Sequence, residues 1–241
     1  MKGIILSGGS GTRLRPLTKI TSKQLLPIYD RPMIYYPLNT LIKAGIKEIL
    51  IIVAPERAGD YLNLLGSGQQ WGVKLTYEIQ DEPKGLAQAF LIGENFIDDD
   101  NVALILGDNI FEDDLAAEIK NFSGGAKIFA KSVPDPERFG VVKFNDRQEA
   151  EKLVEKPKEF LSSYAVTGLY VCDSRAAEFA KEIKPSDRGE LEIVDVLNKY
   201  LEKNELTVAS VSGEWLDAGT FDSLLKAQIL AKDHLTKNMI I

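Results

Sequence analysis

Residues 2–23 read KGIILSGGSGTRLRPLTKITSK. Ile4, Ile5 and Leu6 form a short apolar run, the pattern of a strand buried on both faces. Ser7 to Gly11 follow as a loop in which backbone can approach a ligand closely, and Arg13, Arg15, Lys19 and Lys23 come soon after. A glycine-rich turn leaving a buried strand, trailed by cations, suits a polyphosphate: bare N–H groups cradle the oxygens and the cations neutralise charge. The plainer reading is a surface turn with solvated cations, since lone motifs carry a false-positive risk.

Two familiar phosphate loops are excluded. A Walker A loop needs Lys directly after its second glycine, and with Gly3 and Gly8 as the glycine pair Gly9 occupies that position. The dinucleotide fingerprint begins at Gly9-Ser10-Gly11, but Leu14 stands where its third glycine belongs.

Outward from this stretch, the chain reads as alternating strands and helices. A helical pattern is expected from Pro32, with Ile34, Leu38, Leu41 and Ile42 on one side and Gly45 past its end. Pro37 falls in or near the first turns, where a lost N–H costs least. Strands are expected at Lys47–Ala54 and Val73–Ile79, with a helix over Glu56–Leu65 between them. This order is the signature of an open α/β sheet. A helix over Leu86 to about Phe96 and a central strand over Val102–Leu106 continue it. In such sheets ligands bind beyond the carboxyl ends of the strands. Gln80 and Asp108 stand at two such ends. A carboxamide at 80 offers one donor and one acceptor to a base edge, or simply stabilises a loop. A carboxylate at 108 suits Mg2+, a hard cation, or serves as a turn residue. Asp113 and Asp114 read as N-caps of the next helix.

After Gly124-Gly125 the pattern changes to short strands: Lys127–Val133, Val141–Phe144, Lys152–Val154 and Tyr164–Cys172. A more antiparallel second half, packed on the first, is expected. Glu155-Lys156 ends one of its strands, and an acceptor beside a cation suits a phosphorylated polyol, or is a solvated pair of little energetic weight. A helix over Glu190–Leu201 is expected to bury Ile193, Val194, Leu197, Tyr200 and Leu201, and a last strand runs over Leu206–Val211. Thr220 is the expected N-cap of a final helix facing inward through Phe221, Leu225 and Ile229, and Asp217 is a second candidate metal carboxylate.

Composition narrows the chemistry. One domain spanning 1–241 is expected, divided into halves at 1–123 and 124–241. The net charge of -7 argues against nucleic acid as a partner. No apolar run is long enough to span a membrane, no signal-peptide pattern opens the chain, and the single cysteine, Cys172, suits a reducing cytoplasm. Cys172 lies in an apolar run and reads as a core thiol. The only histidine, His234, sits in a polar, helix-like tail, AKDHLTKN. A Cys/His zinc site is excluded by count. Catalysis is therefore expected to run on carboxylates, amides, cations and Mg2+.

The segments Gly8-Gly9-Ser10-Gly11-Thr12-Arg13-Leu14-Arg15-Pro16 with Lys23, Leu106-Gly107-Asp108, Glu155-Lys156-Pro157 and Leu216-Asp217-Ala218-Gly219-Thr220 resemble those of the nucleotide-sugar pyrophosphorylases, over essentially the whole chain. Lys23–Asp30 with Pro32–Pro37, Gly85–Phe90 and Tyr164–Tyr170 are similar to segments of the glucose-1-phosphate thymidylyltransferase branch. The resemblance implies a Rossmann-like three-layer α/β fold, with a mostly parallel central sheet and a smaller antiparallel sugar-binding part. It implies thymidylyl transfer from dTTP to glucose 1-phosphate as the first step of dTDP-sugar synthesis. Asp108 and Asp217 would hold Mg2+. Gly8, Gly9, Gly11 and Thr12 would wrap the dTTP phosphates by backbone, Leu6 would be a further substrate-binding residue, and Arg13 and Lys23 would stabilise the leaving pyrophosphate. Gln24, Gln80 and Gly85 would contact the base. Gly140, Glu155 and Val166 would line the sugar pocket, with Lys156 on its phosphate. A sugar phosphate is largely ionised near neutral pH, so no general base is needed. Arg13, Arg15, Lys23 and Lys156 are expected to concentrate positive charge in the cleft of an acidic protein. A homo-oligomer, dimer or tetramer, is implied. Longer members carry further C-terminal helices that serve subunit contacts and a feedback site, so that control is not expected in a chain ending at Ile241. The alternatives are the same chemistry with UTP or another sugar phosphate, and a non-catalytic regulatory homologue, which would be expected to lose Arg13, Lys23, Asp108 or Asp217.

Overall fold

β1 (Lys2–Ser7) has no solvent face, and its position follows from that: Ile4 and Ile5 are fully buried. The computed structural model describes residues 1–235 and 239–241. Three short 3-10 turns carry the chain from the loop after β1 to Leu25, and β2 (Pro27–Ile28) pairs with β3 (Arg31–Pro32) in a small hairpin. Pro32 therefore ends an extended pair and does not open a helix. The helix α1 (Tyr35–Lys43) begins three residues later, with Pro37 in its first turn as expected.

β4 (Glu48–Val53) lies parallel to β1. After α2 (Ala58–Leu65), β5 (Lys74–Ile79) lies parallel to β4. The helix expected over 86–96 is two pieces, α3 (Gln88–Ile92) and α4 (Glu94–Ile97), parted at Gly93. A Cβ at Gly93 would press on Ile4 of β1, so the break falls at a point where this layer lies tightly against the sheet. β6 (Val102–Leu106) takes the other side of β1, again parallel. β7 (Asn109–Phe111) and α5 (Ala116–Lys120) follow. Asp114 accepts from the backbone N–H of Ala116. Asp113 is no helix cap: it accepts from the N–H groups of Ser212 and Gly213 across the molecule.

β8 (Ala126–Ser132), β9 (Gly140–Phe144), β10 (Ala150–Glu155) and β11 (Tyr164–Cys172) form the antiparallel half. That half continues the first sheet and does not pack upon it. Leu169–Cys172 of β11 pair with Val102–Ile105 of β6, giving the order β10-β9-β11-β6-β1-β4-β5, with β8 on the outer edge of β11. The remaining elements are α6 (Arg175–Glu182), α7 (Ile193–Glu202), β12 (Leu206–Ser210), β13 (Trp215–Asp217) and α8 (Phe221–Leu230). β12 adds parallel to β8. Glu190–Glu192 stay outside α7, which starts at Ile193, and Leu201 is only partly buried.

Alternation along the strands splits the core into two layers. Ile4, Leu6, Leu50 and Ile52 pack with α3, α4, α6 and α7, while Ile5, Ile49, Ile51 and Val53 pack with α1, α2 and α5. Each fully buried Leu or Ile contributes about 1.5–3 kcal/mol. A third cluster joins Leu14, Ile28 and Met33 to Ile110, Ala218 and the inner face of α8. Thr220 caps α8 in a reciprocal pairing with Ser223, as expected. The inward face of α8 is Leu224, Ala227 and Leu230, whereas Phe221, Leu225 and Ile229 point to solvent. The helix carries apolar residues all round, so periodicity alone could not choose its buried side. A π-helical turn over Ala231–Leu235 follows, and the rest of the expected tail helix falls on 236–238, outside the described residues.

Candidate active site

β1, β4, β5 and β6 end on one rim, and a cleft of about 670 Å³ opens there, bounded on its far side by β9, β10 and β11. That volume is in the range of a small-molecule or cofactor site. Leu6, Gly9, Arg13, Lys23, Gln24, Gln80, Gly85 and Asp108 line it from the first half, and Gly140, Glu155, Lys156, Val166 and Asp217 from the second. Gly8, Gly11 and Thr12 stand in the loop beside the wall and not on it. Arg15 is exposed and off the wall as well; Arg138 takes a place there instead, beside Phe139.

The two candidate metal carboxylates, distant in sequence, meet through a minimal ladder. β13 pairs antiparallel with β7, with Asp217 opposite Asn109, and the N–H of Ala218 donates to the carbonyl of Asp108. Asn109 braces this corner. Its Oδ1 accepts from the backbone N–H of Gly168 (2.9 Å) and from Trp215 Nε1 (2.6 Å), and its Nδ2 donates to Asp108 Oδ1 (3.1 Å). Lys23 Nζ sits on Asp108 Oδ2, and both side chains are only 12% exposed. Burial pushes the Asp108 carboxyl up, but the Lys23 ammonium outweighs it and holds the group below the ordinary carboxylate range. Asp217 goes the other way: burial and the neighbouring Asp108 charge push it up to about 6. Its Oδ1 is buried with no hydrogen-bond partner, and Arg13 Nη2 lies 3.9 Å from its Oδ2. Two adjacent carboxylates with one oxygen unclaimed fit a hard divalent cation that keeps phosphate oxygens among its ligands. Among the described residues no group of three or more His, Cys, Asp or Glu could enclose a metal unaided, which is the same donor set seen from the other side.

Beyond β5, the Gln80 backbone N–H donates to Val53. Its side-chain Nε2 donates to Gln88 Oε1 (2.7 Å), which also accepts from the backbone N–H of Lys84 (2.8 Å). The Gln80 carboxamide lies against Gly8, where any Cβ would overlap its Oε1. Gly8 thus serves the site by allowing close approach. Gln24 Oε1 is in contact with Ser22 Oγ (2.9 Å) and Tyr61 Oη (3.2 Å).

On the far side, Glu155 ends β10 and Lys156 follows it in the left-handed region at φ +43°. Its Nζ is 3.8 Å from Glu155 Oε1. Burial and the charge of Glu192 raise Glu155, against Lys156 and Arg188. Arg188 grips the buried Glu192 through Nη2 at 2.9 and 2.8 Å and reaches Glu155 Oε1 at 3.3 Å, and Ser186 Oγ donates to Glu192. The two sides of the cleft are stitched together. Leu191 N–H donates to the Lys84 carbonyl (2.6 Å), and Ala87 N–H donates to the Leu191 carbonyl (3.1 Å). Gly85, at φ +109°, lies between these bonds, and a Cβ there would run into Leu191 backbone.

Asn109, Gln88, Arg188, Glu192 and Trp215 carry much of this geometry, and none of them stands in a strand-end motif that singles it out. The one available signal was position: Asn109 follows Asp108, and Gln88 opens the helix after the Gly85 loop. His234 is remote from the cleft and lies 3.6 Å from Glu112. Cys172 is fully buried, and burial pushes its thiol up, as befits a core residue.

A glycine-rich loop, two adjacent carboxylates and cations from both halves meet at this cleft, and the nucleotidyl transferase family model matches residues 2–234. The chain belongs to the nucleotidyl transferase family. Similar proteins include glucose-1-phosphate thymidylyltransferases: the Neisseria meningitidis protein is 54% identical over 94% of this chain and 81% of its own length, and the Mycolicibacterium smegmatis protein 53% identical over the same shares. Among solved structures, a Bacillus anthracis protein assigned as a glucose-1-phosphate thymidylyltransferase and crystallised with sucrose is 50% identical, with a TM-score of 0.91 over 97% of this chain and 96% of that one. A UDP-glucose pyrophosphorylase in complex with UDP-glucose is 25% identical, with a TM-score of 0.83 over 96% of this chain and 98% of that one. Among the described residues, no helix is long and apolar enough to cross a membrane.

Proposed function

We propose that this chain transfers the thymidylyl group of dTTP to α-D-glucose 1-phosphate, releasing pyrophosphate, in the cytoplasm and as the first step of dTDP-sugar synthesis. The observation that carries the reading is the gathering of Lys23, Asp108, Asp217 and Arg13 on the cleft wall together with Glu155 and Lys156, Glu155 being held by Arg188. The relatives' activity supports it. The halves divide the labour: 1–123 holds the nucleotide and 124–241 the sugar phosphate, within a single domain.

The reaction needs positioning and charge stabilisation more than proton transfer. An oxygen of the sugar phosphate attacks the α-phosphorus, and the bond from that phosphorus to the β-phosphate bridging oxygen breaks. Gly8, Gly9, Gly11 and Thr12 wrap the triphosphate by backbone, with Leu6 a further contact to the substrate. Arg13 and Lys23 take the charge that builds on the departing pyrophosphate. Gln24, Gln80 and Gly85 hold the base. Gly140, Glu155 and Val166 receive the sugar, and Lys156 binds its phosphate. Asp108 and Asp217 would hold Mg2+, which when bound neutralises phosphate charge and fixes the triphosphate in line. The chain works as a dimer or tetramer.

UTP is the second reading, favoured by the likeness to the UDP-glucose pyrophosphorylase. Pyrophosphate release measured with glucose 1-phosphate, Mg2+ and each of dTTP, UTP, CTP, ATP and GTP separates the two. The fastest release is expected with dTTP. Fastest release with UTP selects the second reading, and none with any nucleotide or sugar phosphate removes both.

A further inference from the structure

Amide oxygen and nitrogen are usually told apart only by their hydrogen bonds. Here one unambiguous donor settles a chain of them. The backbone N–H of Lys84 can only donate, so the Gln88 atom 2.8 Å from it is the oxygen. That same oxygen lies 2.7 Å from the Gln80 amide, so the Gln80 atom facing it is the nitrogen. The Gln80 oxygen is thereby turned the other way, and no protein donor among the described residues hydrogen-bonds to it. Gln80 lines the cleft, so the base subsite presents an acceptor.

We propose that Gln88 is a positioning residue that sets base selectivity by locking the Gln80 carboxamide with its oxygen toward the nucleotide. This rests on the reading of the cleft as a nucleoside triphosphate site. An acceptor at that point pairs with a ring N–H flanked by carbonyls, the imide edge of thymine or uracil. It opposes cytosine, whose ring nitrogen at that position is itself an acceptor. Without Gln88 the Gln80 amide turns freely and offers either face. Gln88 touches no ligand in this scheme and acts only through Gln80.

Two variants and one analogue test this by titration calorimetry of dTTP and dCTP, which needs no turnover. Gln88→Leu removes the acceptor, and the ratio of dCTP to dTTP dissociation constants is expected to fall about tenfold or more, the loss of one buried polar pairing. Gln88→Glu keeps an acceptor for both Lys84 and Gln80 and is expected to keep the ratio within about threefold. On the unaltered protein, N3-methyl-dTTP, which lacks the ring N–H, is expected to bind at least about tenfold more weakly than dTTP. An unchanged ratio in folded Gln88→Leu, or a Gln88→Glu ratio as low as that of Gln88→Leu, overturns the role of Gln88. If Gln88→Leu does not fold, the analogue decides, and equal binding of N3-methyl-dTTP and dTTP overturns the proposal. Selective dTTP binding in a protein that releases no pyrophosphate would sink thymidylyl transfer and leave the role of Gln88 standing.

Discussion

Lys23 Nζ rests on Oδ2 of Asp108, a buried ion pair joining the loop after β1 to the end of β6. Removing one member of such a pair leaves the other charged and dry, at about 3–5 kcal/mol. Asp108→Asn keeps the shape and one acceptor oxygen, so its cost should fall at or below the lower end. A domain with roughly 5–15 kcal/mol of stability still folds. Turnover should fall at least about a hundredfold, the scale of a lost charge-stabilising group. Urea unfolding and pyrophosphate release measured on the same preparation check both. Normal activity would refute the metal assignment.

Asp217 predicts a trade between stability and function. Its carboxyl, pushed up to about 6 by burial and the Asp108 charge, binds a proton in the folded chain more tightly than in the unfolded one, where the value is about 3.9. Stability without metal therefore falls as pH rises between those two values, and the penalty is complete above the upper one. Asp217→Asn should raise unfolding stability at pH 8 by roughly 1–3 kcal/mol while abolishing turnover. Calorimetric melting at pH 5 and pH 8 reads the sign. Added Mg2+ should raise the melting temperature of the unaltered chain more than that of the variant.

Gly85→Ala forces a side chain into a backbone conformation that disfavours one and into Leu191. A cost of about 1–3 kcal/mol is expected. Because Leu191 bonds to both Lys84 and Ala87, KM should rise for the sugar phosphate as well as for the nucleotide. Steady-state kinetics with each substrate varied in turn tests this, and a rise confined to the nucleotide would refute the coupling.

Asp173 gives a purely structural pH effect. Burial pushes its carboxyl up, but hydrogen bonds from Arg175, Tyr200 (2.9 Å) and the Gly125 N–H (3.0 Å) outweigh it and hold it below the usual range. Its contribution is present above about pH 4 and lost as pH falls through the lowered value. Asp173→Asn should cost about 2 kcal/mol at pH 7, and the difference should shrink as pH falls below about 4. Urea midpoints across that range measure it.

The strands that build the floor of the cleft were legible because they are continuous apolar runs: β1, β4, β6 and β11 fall within two residues of expectation. Asp108 came into view just past the end of β6, and Gln80 and Lys156 just past the ends of the less apolar strands β5 and β10. What sequence hid depends on contacts between distant segments. Asn109 earns its place only once Gly168 and Trp215 arrive beside it. Glu192 lies in a stretch expected to be helical, and tertiary bonds of Leu191 to Lys84 and Ala87 hold its Glu190–Glu192 end outside α7 instead, while Arg188 lies before it in no motif at all. The buried side of α8 was misread because Leu224, Ala227 and Leu230, not Phe221, Leu225 and Ile229, face the Leu14 and Ile28 cluster.

The Leu191 stitch has a consequence for anyone altering this protein's substrates. The segment proposed to hold the base and the loop that orients Glu155 and Glu192 share a common fastening, so neither is expected to exchange as an independent cassette. A graft of residues 80–88 from a relative of different base preference arrives without its matching 186–192 loop, and the proposed sugar side is expected to lose its register. The two stretches, far apart along the chain, are one unit of inheritance and should be transplanted together.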